Sequence, residues 1–456
     1  MRRRSNIGSI IFMLIFISTI GGAVFVYNSS VFERNVPIIE IKNNGYWNLK
    51  DPLNISINDE SGIKSYTITL KSEKESFKVV TKVLTTISKS IQISVDAPKK
   101  LRRSKLKYIT VLVEATDLSK WNLLKGNSTT LSKELEIDKK RPYLNNITNS
   151  YAIKKGGSAV VIFKVNDENL KDFYIETSYG KKFKAQPFYK DGYYISLVAW
   201  PVTKDSFRAS IVANDKAGNK SILYIPFYLR NKNYRVSNIK LSDKFLDGKI
   251  AELAEVFEET QGVDDKLEKF KIINEDVRAK NEKLIHEITS KISSNKIDAF
   301  PIKPFYPLKN AAKVASFGDH RLYSYKGKHV SESYHLGLDL ASVKMGAIKT
   351  QNPSIVVFAE ENGIYGNMPI LHHGLGLYTL YGHCSNIVTS NDDVLKDGTH
   401  FANTGKSGYA MGDHLHFGVL VQGIEVRPEE WMDKKWMDTN INDIINDAKK
   451  IIDRAE

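Results

Sequence analysis

An internal repeat of β-type sequence between residues 36 and 229 constrains the fold of this chain more than any other feature. Short segments such as Ile38–Ile41 and residues 109–113 mix apolar and polar side chains in alternation, and Asn, Asp, Gly and Lys separate them. Alternation with a period of two residues is typical of half-buried antiparallel strands. We therefore predict an all-β organisation for this part of the chain.

Two pairs of matching runs reveal the repeat. The run Ile-Asn-Asp-Glu at 57–60 is echoed by Val-Asn-Asp-Glu at 165–168, and the run ending at Asp117 is echoed by the run ending at Asp215. The offsets are 108 and 98 residues, which is about the size of one immunoglobulin-like sandwich. We predict two tandem Ig-like β-sandwiches, at residues 36–138 and 139–235. They resemble extracellular Ig-like modules, which suits spacing or docking, and they contain no constellation of catalytic residues.

The pattern changes after the second predicted sandwich. Apolar residues recur at helical spacing, for example at Ile250, Leu253 and Phe257, and this predicts a helical linker over residues 236–300. Strand-like segments with frequent glycines return over residues 301–438, and a final helix is expected at 439–456. The predicted fold class is therefore mainly β. The pattern leaves open whether the helical linker covers a functional groove in a resting state.

The N-terminus predicts a membrane anchor. Three arginines at positions 2–4 precede an uncharged apolar run at 7–27, which is about the length of a membrane-spanning helix. Positive charge on the short side favours a cytoplasmic N-terminus. We expect residues 1–35 to form a cytoplasmic stub and a single-pass anchor. A cleaved signal peptide is the alternative, and it would leave the destination of the remaining chain unchanged.

Charge and cysteine content narrow the possible functions. Lysine and arginine outnumber the acids by 66 to 52, a net charge of +14. Such a balance suits an anionic partner or reflects a lysine-rich surface. The sequence contains no dense basic run with interleaved aromatics, which is the pattern that would predict nucleic-acid binding. The single cysteine, Cys384, excludes an intrachain disulfide and a cysteine-rich zinc knuckle. We expect Cys384 to pack as a small side chain, and any metal site must use histidine and carboxylate.

Histidine is concentrated in one segment: nine of the ten lie between His320 and His416. His335 and Asp339 are four residues apart, which places both on one face of a helix or a strand. On a strand, His414 and His416 also point to the same side. Two imidazoles and a carboxylate, with one position left for water, are typical of catalytic zinc. The alternative is a hydrogen-bonded His335–Asp339 pair beside an exposed His414.

These residues belong to a longer ordered set of motifs, which resembles the lysostaphin-type (LytM-domain) zinc endopeptidases over about residues 312–437. The set comprises His335-x-x-x-Asp339, His373-Gly374-x-Gly376, Tyr381-Gly382-His383, Gly405-x-Ser407-Gly408 and Gly412-Asp413-His414-Leu415-His416-Phe417-Gly418.

The resemblance implies an antiparallel β-sheet domain with one zinc ion at the floor of a groove. By position, His335, Asp339 and His416 would be the zinc ligands, and His383 and His414 would flank the bound water and the scissile carbonyl. His373 is expected to pack in a turn. The other histidines of the segment are expected at the surface or the rim of the groove, namely His320, His329, His372 and His400.

The predicted function is zinc-dependent hydrolysis of peptide stems or cross-links in bacterial peptidoglycan, with a direct D,D cross-link as the expected bond. The predicted location is the bacterial inner membrane, with the catalytic domain in the periplasm and possible envelope protein partners at the Ig-like modules. One alternative is a non-catalytic regulator that activates other wall hydrolases. Another is an adhesive surface protein, in which the C-terminal histidines would be coincidental.

Overall fold

A computed structural model describes residues 7–73 and 75–455. Strands dominate, which confirms the predicted mainly β class. The chain divides into two compact units, each described separately below: residues 1–142 with 167–171 and 214–220, and residues 143–166 with 172–213 and 221–456. The three N-terminal arginines, on which the predicted membrane orientation depends, lie outside the described residues.

The first unit begins with a long apolar helix, Ile7–Asn28, followed by a short 3-10 helix, Ser30–Phe32. Among the described residues it is the one helix long and apolar enough to cross a membrane, and none of its residues is buried. A signal sequence near the N-terminus can pass the same test of length and hydropathy. The helix coincides with the apolar run at 7–27 from which the anchor is predicted.

Two sheets then form a sandwich around one apolar core that includes Ile55, Ile68 and Val113. Their strand pairs are antiparallel except for Tyr46–Trp47, which pairs in parallel with Ser128–Ile137. One sheet pairs Leu53–Asn58 with Ile38–Ile41 on one side and Ser90–Val95 on the other. The strands of the second sheet are, in spatial order, Tyr46–Trp47, Ser128–Ile137, Tyr108–Asp117, Ile63–Lys71 and Ser76–Val83. Single helical turns lie at Lys99–Arg102 and Trp121–Leu124.

A second sandwich follows, and most of it belongs to the second unit. One sheet has the order Gln186–Pro187, Tyr193–Ala199, Ser158–Asn166, Tyr143–Asn149, and the other has the order Lys182–Phe183, Leu170–Thr177, Ala209–Asp215, Lys220–Tyr224. A short parallel pair joins Ala152–Lys154 to Tyr228–Arg230. Ile162, Ile195 and Ile211 are fully buried between the two sheets. Both predicted β-rich repeats are thus two-sheet structures.

The aspartates that mark the sequence repeat fasten turns. Asp117 Oδ1 accepts hydrogen bonds from the backbone amides of Ser119 at 3.0 Å and Asn127 at 2.7 Å. Asp215 Oδ1 likewise accepts from the amide of Asn219 at 2.7 Å. A carboxylate that satisfies backbone donors of a tight loop stabilises that loop. This local role explains why the same residue type recurs at the end of a strand in both repeats.

Helices occupy most of the predicted linker, after a strand at Val236–Lys240. Gly262, which separates the two apolar stretches in the sequence, lies between the helical segments. Their apolar side chains, among them Phe270 and Ile273, share one core with Tyr323, Tyr365 and Leu380 of the C-terminal part. The helical elements are Asp243–Phe245, Leu246–Ile250, Ala251–Val256, Glu258–Thr260, Lys266–Ile272, Ile273–Val277 and Arg278–Thr289.

The C-terminal part is built on one large antiparallel sheet. Its strands are, in spatial order, Ala312–Ala315, Leu338–Ala341, Leu415–Val421, Leu377–Gly382, Asn367–His372, Ser354–Glu361 and Val394–Leu395, with Ile424–Val426 paired to Leu415–Val421. Leu415–Val421 is buried at every position and is flanked by Leu338–Ala341 and Leu377–Gly382. The centre of the sheet therefore brings together segments that are widely separated in sequence.

Smaller elements complete this part. Val236–Lys240, His320–Tyr325 and Lys328–Tyr334 form one three-stranded sheet, and Ala347–Lys349, His400–Asn403 and Asn386–Ile387 form another. The remaining helices are Gly363–Tyr365, Pro428–Trp431, Lys434–Met437, Asp438–Asn442 and Asp443–Arg454. The last of them lies where the sequence predicts a C-terminal helix.

Candidate metal centre

Sheet register positions two of the three predicted zinc ligands. Asp339, on Leu338–Ala341, lies directly opposite His416, on Leu415–Val421. His335 precedes the first of these strands, and its backbone amide donates to the carbonyl of Asp319 at 2.9 Å. All three side chains are largely buried. The structure therefore brings together residues that are separated by up to 81 positions.

The three potential donor atoms converge closely. His335 Nε2 lies 2.9 Å from Asp339 Oδ1 and 3.1 Å from His416 Nδ1, and His416 Nδ1 lies 3.0 Å from Asp339 Oδ1. Ligands at about 2.0–2.1 Å from a tetrahedral zinc ion are separated from one another by roughly 3.3 Å. Two nitrogens and one oxygen also form a donor set that zinc accepts. The residues thus fit a zinc ion in geometry and in chemistry.

Local contacts orient the two imidazoles. His335 Nδ1 lies 2.9 Å from the carbonyl oxygen of Ser316, so its N–H donates there and its Nε2 presents a lone pair to the cluster. Gly337 packs against the ring of His416, because a Cβ at this position would lie 2.4 Å from His416 Nε2. The glycine between His335 and Asp339 is therefore required by its close approach to the ring of a predicted ligand, a reason that the motif alone does not reveal.

Burial and the imidazoles act in opposite directions on Asp339. Burial alone would raise the pKa of its carboxyl, but the hydrogen bonds and charges of His335 and His416 outweigh it and hold that pKa well below its usual range. Burial lowers the pKa of His416, although Asp339 partly counteracts this effect. The cluster therefore combines an ionised carboxylate with a neutral imidazole at His416, which are the protonation states that bind a metal cation.

The two predicted catalytic histidines lie beside this cluster. The ring centroids of His383 and His414 are 4.8 Å apart, and His414 Nε2 lies 3.8 Å from Asp339 Oδ2. His383 Nδ1 is 2.9 Å from the carbonyl oxygen of Ser407, and His414 Nδ1 is 2.8 Å from that of Gly412. When both Nδ1–H groups donate to these carbonyls, both Nε2 atoms carry lone pairs.

His383 has an unusual environment for an imidazole. Burial, together with the adjacent imidazoles of His416 and His414, lowers its pKa to about 3. Its backbone lies in the left-handed region, with φ of 66°. Strain of this kind persists where the surrounding structure holds it, and it is frequent at functional sites. The sequence pattern gave no indication of this backbone conformation.

Residues 333–428 match the model of Peptidase family M23. The C-terminal part of this chain is an M23 peptidase domain of the lysostaphin type.

Curated relatives match this chain over about a quarter of its length. "DD-carboxypeptidase/endopeptidase Mpg" of Neisseria meningitidis serogroup B is 29% identical over 94 residues, which are 21% of this chain and 22% of Mpg. "Peptidoglycan DD-endopeptidase ShyA" of Vibrio cholerae is 27% identical over 118 residues, 26% of this chain and 27% of ShyA. The chain thus spans about a quarter of the length of these curated relatives. A crystal structure of a putative M23 peptidase from Pseudomonas aeruginosa aligns over 61% of this chain and 93% of its own, at 16% identity and a TM-score of 0.36.

The cluster lies in a groove of the M23 domain with a volume of about 520 Å³. The sequence pattern leaves open whether the helical linker covers a groove, and in the structure this segment contributes one wall. The helical segment and the strand before it contribute Ile239, Lys240, Leu241, Phe245 and Arg278 to the lining. Their sequence shows an amphipathic helix but carries no local signal for its proximity to the groove. The wall exists because the helices share their core with the sheet of the M23 domain.

The other histidines of the segment are engaged elsewhere. His373 Nε2 lies 2.7 Å from Thr379 Oγ1, and the His373 ring contacts Phe305 edge-on at a centroid distance of 5.0 Å. His320 stacks on Tyr334 and His372 on Tyr378. His329 and His400 are exposed. Cys384 is fully buried, and burial raises the pKa of its thiol to about 12.

Two groups of carboxylates in the first unit also bring potential ligand atoms together: Glu33 with Asp59 and Asp117, and Asp138 with Asp167 and Asp215. Each group contains carboxylates alone, and several of their oxygens already accept hydrogen bonds within turns. Zinc sites in proteins favour nitrogen and sulfur donors alongside a carboxylate. The His335, Asp339 and His416 cluster is therefore the candidate zinc centre.

Proposed function

We propose that this protein is a zinc-dependent endopeptidase that hydrolyses peptide stems or cross-links of bacterial peptidoglycan, with one zinc ion per chain. His335, Asp339 and His416 would bind the metal, and His383 and His414 would assist the reaction. The observation that carries this proposal is the convergence of three donor atoms within 2.9–3.1 Å of one another. Two further imidazoles beside them add the groups that peptide hydrolysis requires.

A zinc ion bound by these residues would supply Lewis acidity toward water and toward the peptide carbonyl. The Nε2 atom of His414, with its Nδ1–H directed at Gly412, is suited to accept the proton of the attacking water. His383, whose ring centroid lies 4.8 Å from that of His414, would take up this proton from His414 and pass it to the leaving amine. Because burial disfavours the charged imidazole of His383, a proton taken up at its Nε2 is readily given away.

The proposed bond is a direct D,D cross-link. This proposal is supported by the names of two relatives that match about a quarter of this chain: Mpg is a DD-carboxypeptidase/endopeptidase and ShyA is a peptidoglycan DD-endopeptidase. We further propose that Ile7–Asn28 anchors the protein in the bacterial inner membrane with the M23 domain in the periplasm. In this arrangement the two sandwiches would serve as spacers or contact other envelope proteins.

The decisive experiment compares the detergent-solubilised full chain with His416→Ala and with His329→Ala as a matched control. The wild-type protein should carry about one zinc ion by mass spectrometry and release peptide ends from isolated wall sacculi. His416→Ala should lose both properties, because a ligand nitrogen is removed. His329→Ala should keep both, since that side chain is exposed and lies outside the groove.

Other outcomes separate the alternatives. Binding to sacculi without release of peptide ends, whether or not zinc is bound, would contradict the endopeptidase and favour a non-catalytic regulator. Mass spectrometry of the released muropeptides identifies the bond, and products cleaved elsewhere than at a D,D cross-link would refute that part of the proposal.

A further inference from the structure

The helical segment forms a fixed part of the groove wall. Phe270, Ile273 and Val277 of this segment are buried in the core that also contains Tyr323 and Tyr365 of the M23 domain. A wall held by a shared apolar core keeps its side chains in defined positions relative to the sheet. Side chains that the segment presents to the groove are therefore available to a bound substrate.

Arg278 is the charged group of the Lys266–Thr289 helical run that lines the groove. Its Nε donates to the carbonyl oxygen of Asn274 at 3.1 Å, and its Nη2 donates to Asn274 Oδ1 at 3.1 Å. Asn274 is itself buried and donates to Ser331 Oγ at 2.8 Å. This chain of hydrogen bonds fixes one side of the guanidinium, so that Nη1 remains to bind a ligand.

The charge of Arg278 has no close counterion. Among the residues described, no carboxylate lies within the 4.0 Å of an ion pair from its guanidinium. The acidic residues within one helical turn of Arg278 in sequence are Glu275, Asp276 and Glu282. Glu275 Oε1 accepts a hydrogen bond from Ser331 Oγ at 2.6 Å instead of pairing with the guanidinium. Burial, with the added repulsion of Glu425, raises the pKa of Glu282 to about 7, so this carboxyl is only partly ionised near neutral pH.

Other charged side chains of the groove add to the excess of positive charge around Arg278. Lys240 and Arg321 also line it, and Arg321 lies 3.5 Å from Asp319. The carboxylates of the lining are Asp339, which belongs to the candidate zinc centre, and Asp413. Asp413 accepts hydrogen bonds from Thr404 Oγ1 at 2.6 Å and from the amide of Met345 at 3.0 Å. Positive charge thus exceeds the negative charge available to a ligand.

We propose that Arg278, assisted by Arg321, recognises a free carboxylate that the peptide substrate carries near the scissile bond. Guanidinium groups bind carboxylates through charge-assisted, planar hydrogen bonds, and a groove of matching charge raises the local concentration of an anionic ligand. The protein therefore prefers peptides with a free carboxylate over the same peptides carrying a carboxamide. This specificity rests on the proposed peptidase function and assigns the helical segment a role in substrate binding.

The test uses the full-length protein and two synthetic cross-linked peptides that differ only in carboxylate or carboxamide. The wild-type protein should cleave the carboxylate peptide with a kcat/KM about 10- to 100-fold higher, which is the range for a hydrogen bond to a charged group. Arg278→Gln should reduce this preference to near unity, mainly by raising KM for the carboxylate peptide. Arg278→Lys, which keeps the charge without the planar fork, should retain part of it.

Lys283→Gln is the matched control, because Lys283 lies on the same helix, is exposed and is not part of the groove lining. It should leave the preference unchanged. Equal loss of kcat/KM for both peptides in Arg278→Gln, or no preference in the wild-type protein, would overturn the proposal.

Calorimetric binding of the same two peptides keeps the inference separate from the peptidase proposal. If neither peptide is cleaved, hydrolysis has failed as a function, yet a carboxylate preference in binding that disappears in Arg278→Gln still supports the subsite. Equal binding of the two peptides to the wild-type protein refutes the subsite whether or not cleavage occurs. Zinc content and the melting temperature of each variant identify any loss of folding.

Discussion

Two groups of histidines on the same sheet of the M23 domain have different surroundings. His416 lies on a central strand, opposite Asp339, and its Nδ1 converges with the donor atoms of two other side chains. His372 and His373, two strands away, contact aromatic rings, and His373 pairs with the hydroxyl of Thr379. Burial lowers the pKa of His373, with a contribution from His372, to about 3, so this imidazole is neutral and bonded to a neutral partner.

The difference shows what converts a buried histidine into a potential ligand. Burial by itself favours the neutral imidazole, which is satisfied by a single hydroxyl or by an aromatic neighbour. A buried carboxylate directly opposite supplies negative charge and a third donor atom, so that the same side chain becomes part of a cation site. Sheet register decides between these outcomes, because it determines which side chain faces which.

The largest effect is expected for Asp339→Asn. The substitution keeps the shape of the side chain but removes the charge that favours a cation. We expect zinc content to fall to less than about a tenth of the wild-type value and hydrolysis of sacculi to fall at least about 10³-fold. Metal analysis and a release assay measure the two effects. Full zinc content in this variant would show that the Asp339 carboxylate is not what distinguishes His416 from His372 and His373.

Next in size are His383→Ala and His414→Ala. Neither His383 nor His414 contributes one of the three converging donor atoms, so both variants should retain zinc. Hydrolysis should fall about 10²- to 10⁴-fold, as is typical when a general acid or base is removed. Loss of zinc in parallel with activity would instead make these residues ligands, and the grouping would have to be redrawn.

A stability effect is expected for His373→Leu. The folded state holds His373 neutral, whereas the unfolded chain takes up a proton below its ordinary pKa of 6.5. Wild-type stability should therefore fall as pH decreases from 7 to 5, by about 2 kcal/mol from this residue alone. The leucine variant should lack this part of the pH dependence, while zinc content at pH 7 stays unchanged.

Denaturant unfolding at the two pH values measures this effect, with His329→Leu as the control for an exposed histidine. An unchanged pH dependence in His373→Leu would contradict the assignment of His373 as a buried neutral group.

The smallest effect, again on stability, is expected for Glu430→Gln. Glu430 is a second buried carboxyl, but its pKa is raised whereas that of Asp339 is lowered. Burial raises the pKa of Glu430 to about 7, and nearby Arg427 offsets this only in part. The unfolded chain releases this proton at lower pH, so wild-type stability should fall as pH rises from about 4.5 toward 7. Glutamine should remove about 1–2 kcal/mol of that loss between pH 5 and pH 8.

Thermal unfolding between pH 5 and pH 8 measures this difference in stability. Gln keeps the oxygen that accepts the hydrogen bond from the Ser158 amide, so the substitution removes the titration and leaves this bond in place. A variant with the same slope as the wild type would show that Glu430 is ionised in the folded protein.

Some structural features could be predicted from the sequence and others could not. Period-two alternation predicts the strands of both sandwiches, and helical spacing at Ile250, Leu253 and Phe257 predicts helices that the structure contains. Local patterns succeed here because side-chain direction follows directly from backbone geometry. The left-handed backbone of His383 has no signal in the sequence. The contact of Gly337 with His416 was not predicted because it joins segments that are distant in sequence.

The sequence by itself determined the mainly β class, the apolar N-terminal helix and the M23 motifs, since each depends on residues close together in the chain. Only the tertiary structure decided that Asp339 faces His416 and that Arg278 lines the groove. Strand register and helix docking are set by the packing of apolar side chains across the whole domain, and that packing is a property of the folded chain rather than of any short segment.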